Sequence, residues 1–193
     1  EWRLHMRTNV YLLSYAPLIS ILLFSTSLAI ATTELALQWL DQVGVYDELL
    51  QLLTARDTKL VVWMGFLIVY FMIFSSLKLL SDTINQLGFA FFIKEQEGTT
   101  LSMLRPGSIL LLVGGCVSFA FMTSFLHVGI VLLASFLIYF IFYTVQISKM
   151  TSATGAIGLI IFSFLAWGVL LAGLSWVGLT LFNSFGEAIL FPS

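Results

Sequence analysis

The chain has 193 residues, of which 60% are hydrophobic and only 9% charged, with a mean hydropathy of +1.04 and a formal net charge of −2. A soluble domain carries roughly 25% charged residues, so this chain lacks the charge to cover a water-facing surface and its solvent is largely lipid. The acidic balance leaves no electrostatic footprint for nucleic acid. Cys116, the single cysteine, excludes an intrachain disulfide or a cysteine metal cluster, and its apolar surroundings suit a small core residue.

Stretches free of Asp, Glu, Lys, Arg and His run Thr8–Thr33, Leu60–Leu77, Pro106–Leu126, Val128–Ser148 and Met150–Gly186. A membrane helix needs about 20 apolar residues to cross about 30 Å of hydrocarbon. The expected fold is therefore an all-α integral membrane protein, a single membrane domain over 1–193 whose five transmembrane helices span about 10–31, 60–83, 106–125, 128–147 and 155–182. The first residue is Glu1, so either the start is missing or Glu1–His5 precedes a native start at Met6. The first span has Arg3 and Arg7 in front and Ala29-Ile30-Ala31 near its end, which resembles a secretory signal, but its apolar run exceeds a signal core and it is read as retained. Pro17 within it is expected to bend the helix or end a half-helix.

The connection from Thr33 to Lys59 has its own pattern. Ala36, Trp39, Leu40 and Val43 recur at helical spacing, and Tyr46, Leu49, Leu50 and Leu53 repeat it after Gly44. This predicts two short amphipathic helices within Glu34–Thr54, joined at Gly44-Val45 and turned toward lipid or the bundle.

The second span leads into SSLKLLSDTINQLGFAFF, Ser75 to Phe92. Ser75, Lys78, Asp82 and Asn85 fall at i, i+3, i+7 and i+10, on one helical face, with Lys78 and Asp82 spaced to pair. At 1.5 Å per residue from Leu60, Lys78 lies roughly 27 Å and Asp82 roughly 33 Å further along. They therefore mark the far boundary of the hydrocarbon, where Lys78 can snorkel. Lys78, Asp82 and Asn85 are the candidate binding residues, a polar patch for an ion, a headgroup or a protein partner. The plain alternative is a helix end with a solvated Asp82. The segment after Asn85 either extends the helix or turns it along the interface. Gly98, Thr99 and Thr100 make a loop, and Pro106-Gly107 opens the third span. Only His127 interrupts the next 43 residues, so a tight hairpin is expected near Thr123–Gly129.

Small residues let membrane helices approach closely. Gly107, Gly114 and Ser118 share one face of the third span, and Gly168, Ala172 and Ser175 one face of the fifth. Both faces are expected to be contact surfaces.

Lys and Arg favour the cytoplasmic side of short loops. A cytoplasmic N-terminus places Arg3, Arg7, Lys78, Lys94, Arg105 and Lys149 inside and only Arg56 and Lys59 outside, giving an N-in, C-out orientation. The sequence has no HExxH, no Walker glycine loop and no GxSxG elbow. His5 and His127 fall on opposite sides of the membrane in this topology. No catalytic residue, metal or cofactor is assigned, and the chain is expected not to be an enzyme.

TNVYLLSYAPLISILLFSTSLAI and SSLKLLSDTINQL resemble the YufK-like family of small multipass membrane proteins from bacilli. The resemblance runs from about Thr8 through the fourth span, with LKLLSDTIN carrying most of it. It implies a bacterial plasma-membrane protein and no particular activity. Two functions fit the residues: a non-enzymatic accessory or interaction subunit of a membrane complex, or a small permease or channel for a lipid, an apolar solute or an ion. The expected partners are membrane lipid and either another membrane protein or a second copy of the chain, with no nucleic acid.

Overall fold

The computed structural model describes residues 10–93, 106–149 and 151–190. Glu1–His5, Met6, the basic residues Arg3, Arg7, Lys94 and Arg105, and the loop around Gly98 lie outside the described residues. The described secondary structure is helical throughout: α1 (Val10–Val43), α2 (Val45–Leu52), α3 (Ala55–Phe92), α4 (Gly107–Ser118), α5 (Phe125–Ser148) and α6 (Ala153–Leu190). A 3₁₀ turn, Phe119–Phe121, follows α4. In lipid a helix satisfies its backbone polar groups within its own segment, which is why apolar chains of this kind resolve into long helices. Four of the described helices are long and apolar enough to cross a membrane, and Gly107–Phe121 is a shorter apolar helix.

Helix α1 runs 34 residues without ending at Pro17. The first of the two expected short helices is therefore not a separate element; it is the end of α1. No Gly or Pro occurs between Thr33 and Gly44, and extending an existing helix avoids the cost of a new nucleus. The break comes at Gly44, whose φ of 81° is left-handed and whose N–H donates to the Asp41 carbonyl at 3.1 Å. The second short helix, α2, forms as a separate element; Leu40 and Leu49 are half-buried, while Trp39 and Leu50 are exposed. Thr54 then caps α3: its Oγ1 accepts from the Asp57 N–H at 3.2 Å and donates to Asp57 Oδ2 at 2.6 Å. This turns the Asp57 carboxylate back onto the first turn. Helix α3 continues through Gly88 to Phe92, 38 residues in all.

The chain divides into two compact units, residues 1–80 with 95–147, and residues 81–94 with 148–193. In the first, α4 packs against α1. Ala16, Ser20, Phe24, Ser27, Leu28 and Ala31 are buried on α1. Gly107, Gly114, Gly115 and Ser118 are buried on α4, so the small-residue face read from the sequence is a packing face. A Cβ on Gly114 would collide with Ser135 Oγ of α5 and lie 3.3 Å from the Phe24 ring; one on Gly115 would lie 3.0 Å from Leu23 Cβ. One on Gly107 would meet Phe142 and Tyr139 at 2.9 Å. The α4–α5 hairpin turns at Met122–Ser124, held by the Ser124 N–H to the Phe121 carbonyl at 3.0 Å, at the near edge of the predicted turn.

In the second unit the last residues of α3 pack on the start of α6. A Cβ on Gly88 would collide with Leu159, which is fully buried, and one on Gly158 would lie 2.6 Å from the Phe92 ring. Phe91 and Phe92 each pair with Phe162 at 6.1 Å between ring centres. Thr151 Oγ1 donates to the Phe92 carbonyl at 3.2 Å. The expectation for Gly168, Ala172 and Ser175 does not hold within the chain. All three are exposed, and a Cβ on Gly168 would meet nothing within 4 Å. The packing onto α3 uses residues near Leu159, two to four turns earlier on α6.

The close approach at Gly114 makes an ordered prediction. Gly114→Ala should destabilise the detergent-solubilised protein by about 1–3 kcal/mol through overpacking. Gly65 has open space around it, so Gly65→Ala should be neutral or stabilise by up to about 1 kcal/mol through helix propensity. Thermal melts that reverse this order would contradict the described packing.

Candidate functional site

Helix α3 carries Lys78, Asp82 and Asn85 one turn apart because nothing between Ala55 and Phe92 breaks it. All three are half-buried. Their half of the helix also bears Ile84, Gly88 and Phe89, which are buried, while Leu79, Thr83, Gln86, Leu87 and Ala90 occupy the exposed half. None of the three polar residues stands without a partner. The boundary between the compact units falls between Leu80 and Ser81, so Lys78 belongs to the first unit and Asp82 and Asn85 to the second. Within the second unit, Asp82 and Asn85 are a carboxylate and an amide on the half of α3 turned away from its exposed side. Such a face can hold a counter-ion or hydrogen-bond a partner, and it contains no nucleophile paired with a base.

The first unit has hydroxyls in its interior. Ser118 Oγ donates to the Gly115 carbonyl at 2.6 Å, so in its 2.8 Å bond with Ser27 Oγ the Ser27 hydroxyl is the donor. Thr32 Oγ1 and Tyr70 OH lie 2.8 Å apart. Ser20, Thr33 and Ser135 each donate to the carbonyl four residues back. Such bonds inside one helix satisfy hydroxyls without an external ligand.

His127 is exposed, accepts or donates at Nδ1 with Ser124 Oγ at 2.7 Å, and stacks on Phe121 at 6.0 Å. It trims the α4–α5 turn. Cys116 is exposed on α4 and is not the core residue expected from its apolar run; Gly114, Gly115 and Ser118 take the packed face instead. Among the described residues no three His, Cys, Asp or Glu side chains gather as a metal site.

Comparison with known proteins assigns the family. A model of a family of unknown function, DUF5366, matches residues 33–189. The chain belongs to the DUF5366 family. A relative from Bacillus subtilis (strain 168), the uncharacterized membrane protein YufK, is 36% identical over 176 residues, covering 91% of this chain and 95% of the relative. No solved structure matches. With its apolar helices, this makes the DUF5366 chain a membrane protein. The family match reaches Glu187 and continues to residue 189, so it includes the last helix, which lay beyond the stretch where the sequence resemblance was drawn.

The position of Cys116 gives a simple expectation. Cys116→Ala should change stability by less than about 0.5 kcal/mol, because the side chain fills no packed site. A larger loss in a thermal melt would place the thiol in a contact that the chain does not show.

Proposed function

We propose that this membrane protein is a non-enzymatic multipass plasma-membrane protein, an accessory or interaction subunit that docks on a partner at the cytoplasmic end of α3 and α6. The topology that supports it has five crossings with the N-terminus inside. Helix α5, 24 residues long, spans about 36 Å. That is enough to return across the bilayer from the turn at Met122–Ser124, and on this reading the shorter apolar helix Gly107–Phe121 carries the chain there. The uncharged stretch Leu60–Leu77 of α3 matches the hydrocarbon thickness.

On this reading Phe92 lies about 48 Å along the helix from Leu60, well past a 30 Å core. The part of α6 that packs on it, Leu159 and Phe162, then lies past the hydrocarbon too. The crossing of α6 moves to the residues after Phe162, later than the span about 155–182. This accounts for an apolar run, Met150–Gly186, too long for one crossing: its first third packs against protein.

One observation carries the functional reading. Phe91 is 71% exposed and Ile157 58% exposed, on segments placed beyond the acyl chains, and the exposed half of α3 that carries Phe91 and Leu87 also carries Thr83 and Gln86. An apolar surface outside the hydrocarbon and rimmed by polar groups fits a protein partner. Close packing of α4 on α1 supports setting the permease reading behind this one, although Ser25 Oγ and Thr144 Oγ1 are buried without a partner among the described residues.

The topology is checked by cysteine labelling with an impermeant thiol reagent in a Cys116→Ala background. Cysteines replacing Asp47 and Glu97 should label from opposite sides, one at Ile157 from the same side as Glu97, and one at Val169 from neither. Labelling of 47 and 97 from one side defeats the orientation, and protection of 157 defeats the shifted crossing.

The docking reading is checked by affinity capture in mild detergent with quantitative mass spectrometry. Phe91→Asp and Asp82→Ala should each reduce a specifically retained membrane partner about tenfold, as expected when an interface anchor is lost, while the melting temperature holds. Retention unchanged in both variants would reduce Lys78 and Asp82 to a plain helix boundary.

A further inference from the structure

A second feature lies at the opposite end of α3. Two bends in the backbone set α2 apart there. Gly44 before it is left-handed, and Leu53 after it is extended, at φ −130° and ψ 152°. At 100° per residue, Leu52, Val45, Leu49, Leu53, Tyr46 and Leu50 fill an arc of about 160° around the helix. Asp47, Gln51 and Glu48 fill the remainder, and all three are exposed. None of the eight residues of α2 is buried. Tyr46 and Leu49 are half-buried, while Leu52 is 83% exposed. The described residues therefore leave most of this apolar face bare.

Depth and charge select what covers it. Helix α3 starts at Ala55 and its uncharged stretch at Leu60, so in the placement proposed above the end of α2 stands about 8 Å from the hydrocarbon. The headgroup layer on each side is about 5–8 Å thick. Two bends and a short link thus tether α2 at the level where amphipathic helices seat an apolar face. The Glu34–Lys59 pair holds α1 at the same level, and the exposed Trp39, about 8 Å further along α1, falls in the belt that indoles favour. A soluble partner would have to displace a bilayer that the chain already holds there. The bilayer must also tolerate the charge. Between Glu34 and Lys59 five carboxylates stand against Arg56 and Lys59. Glu34 takes Lys59, and Asp57 is turned back onto Thr54. Asp41, Asp47 and Glu48 are exposed and have no ion pair among the described residues.

We propose that α2 is an interfacial anchor that seats its apolar face on a zwitterionic lipid surface and is lifted from an anionic one. Burial of Leu50, Leu52 and Leu53 among the headgroups supplies the attraction. Asp41, Asp47 and Glu48 oppose it wherever the surface carries net negative charge. Each carboxylate counts about fivefold against contact with a strongly anionic surface, as a basic residue counts for it. Gly44 and Leu53 are the joints about which α2 moves. The anchor rests on the placement of α3 in the membrane, holds for either orientation, and uses no residue of the docking surface on α3 and α6.

The test is spin labelling of the full chain in vesicles, in a Cys116→Ala background. Nitroxides are placed at Leu52→Cys, at Gln51→Cys on the polar side, and at Met64→Cys. All three positions are exposed, so none of the substitutions disturbs a packed contact. Collisions with oxygen report lipid, and collisions with a neutral nickel chelate report water. In phosphatidylcholine, oxygen should dominate at 52 and the chelate at 51. Adding 30% phosphatidylglycerol at low salt should raise chelate access at 52 at least twofold. Molar salt, which shortens screening to about 3 Å, should reverse that rise, and Asp47→Asn with Glu48→Gln should largely remove it. Equal chelate access at 51 and 52 in phosphatidylcholine would leave α2 standing in water and overturn the anchor. Low collision rates with both reagents at 52 would mean that protein, a second copy included, covers the face, and would equally overturn it. A response indifferent to phosphatidylglycerol would overturn the charge dependence. Position 64 reports α3 separately: it should be in lipid in both vesicles, and water there would defeat the placement of α3 on which the anchor rests.

Discussion

The contact of α4 with α1 at Gly114 and Gly115 sets the geometry of the first unit. Lipid tails are as apolar as leucine, so helices in a bilayer gain little from hiding apolar surface and depend on close van der Waals approach. Two adjacent glycines bring the α4 backbone against Leu23 and Phe24. That approach also brings Ser118 within 2.8 Å of Ser27, a bond between residues 91 apart in sequence. Gly107, two turns earlier on α4, gives the same freedom to Phe142 and Tyr139 of α5. The three helices are thus held by the absence of side chains at a few positions more than by their bulk.

The same solvent sets helix length and ends. With no water to satisfy a broken ladder, a helix in or near lipid stops only where the backbone has another partner. Gly44 supplies one such stop, with a left-handed φ and an N–H bonded to the Asp41 carbonyl. Thr54 supplies the next start by capping with Asp57. Between them α2 is a single short piece, and α1 and α3 each absorb residues that their apolar stretches did not include. Helix ends here follow capping chemistry, not the limits of hydrophobicity.

This explains which features the sequence revealed. The apolar stretches located every long helix, because lipid solvation is a composition effect readable over 20 residues. The Gly107–Gly114–Ser118 face was readable because three small residues at helical spacing have few other uses. The equally regular Gly168–Ala172–Ser175 face finds no neighbour within the chain. A periodic pattern states that a face is able to pack and is silent on whether a partner reaches it. The end of α1 was misread because amphipathic spacing in ELALQWLDQV suits a surface helix and a helix extension equally, and only the absent breaker decides. Cys116 was placed in the core on composition alone, although its neighbours Gly115 and Ser118 already defined the packed side. Spacing puts Lys78, Asp82 and Asn85 on one continuous helix; the division of the chain into two units was not readable, because that depends on contacts of Phe91 and Phe92 with Phe162, some 70 residues away.

Helix α3 joins these themes. Its uncharged middle, Leu60–Leu77, is about as long as the hydrocarbon is thick, and its charged residues collect on both flanks. Arg56, Asp57 and Lys59 stand at one end, and Lys78 and Asp82 at the other. A charge moved into the middle costs free energy, so in the placement proposed above the flanks pin the helix against sliding along the membrane normal. Pinning has a structural consequence, because α3 continues for fourteen residues beyond Lys78. In the placement proposed above, this end of α3, with Leu87 and Phe91 exposed, lies past the acyl chains and is poorly solvated by water. Gly88 and Phe92 meet part of that demand against α6, at Leu159 and Phe162. The apolar start of α6 is therefore best understood as the covering for the end of α3, which explains why an apolar run longer than one crossing begins there.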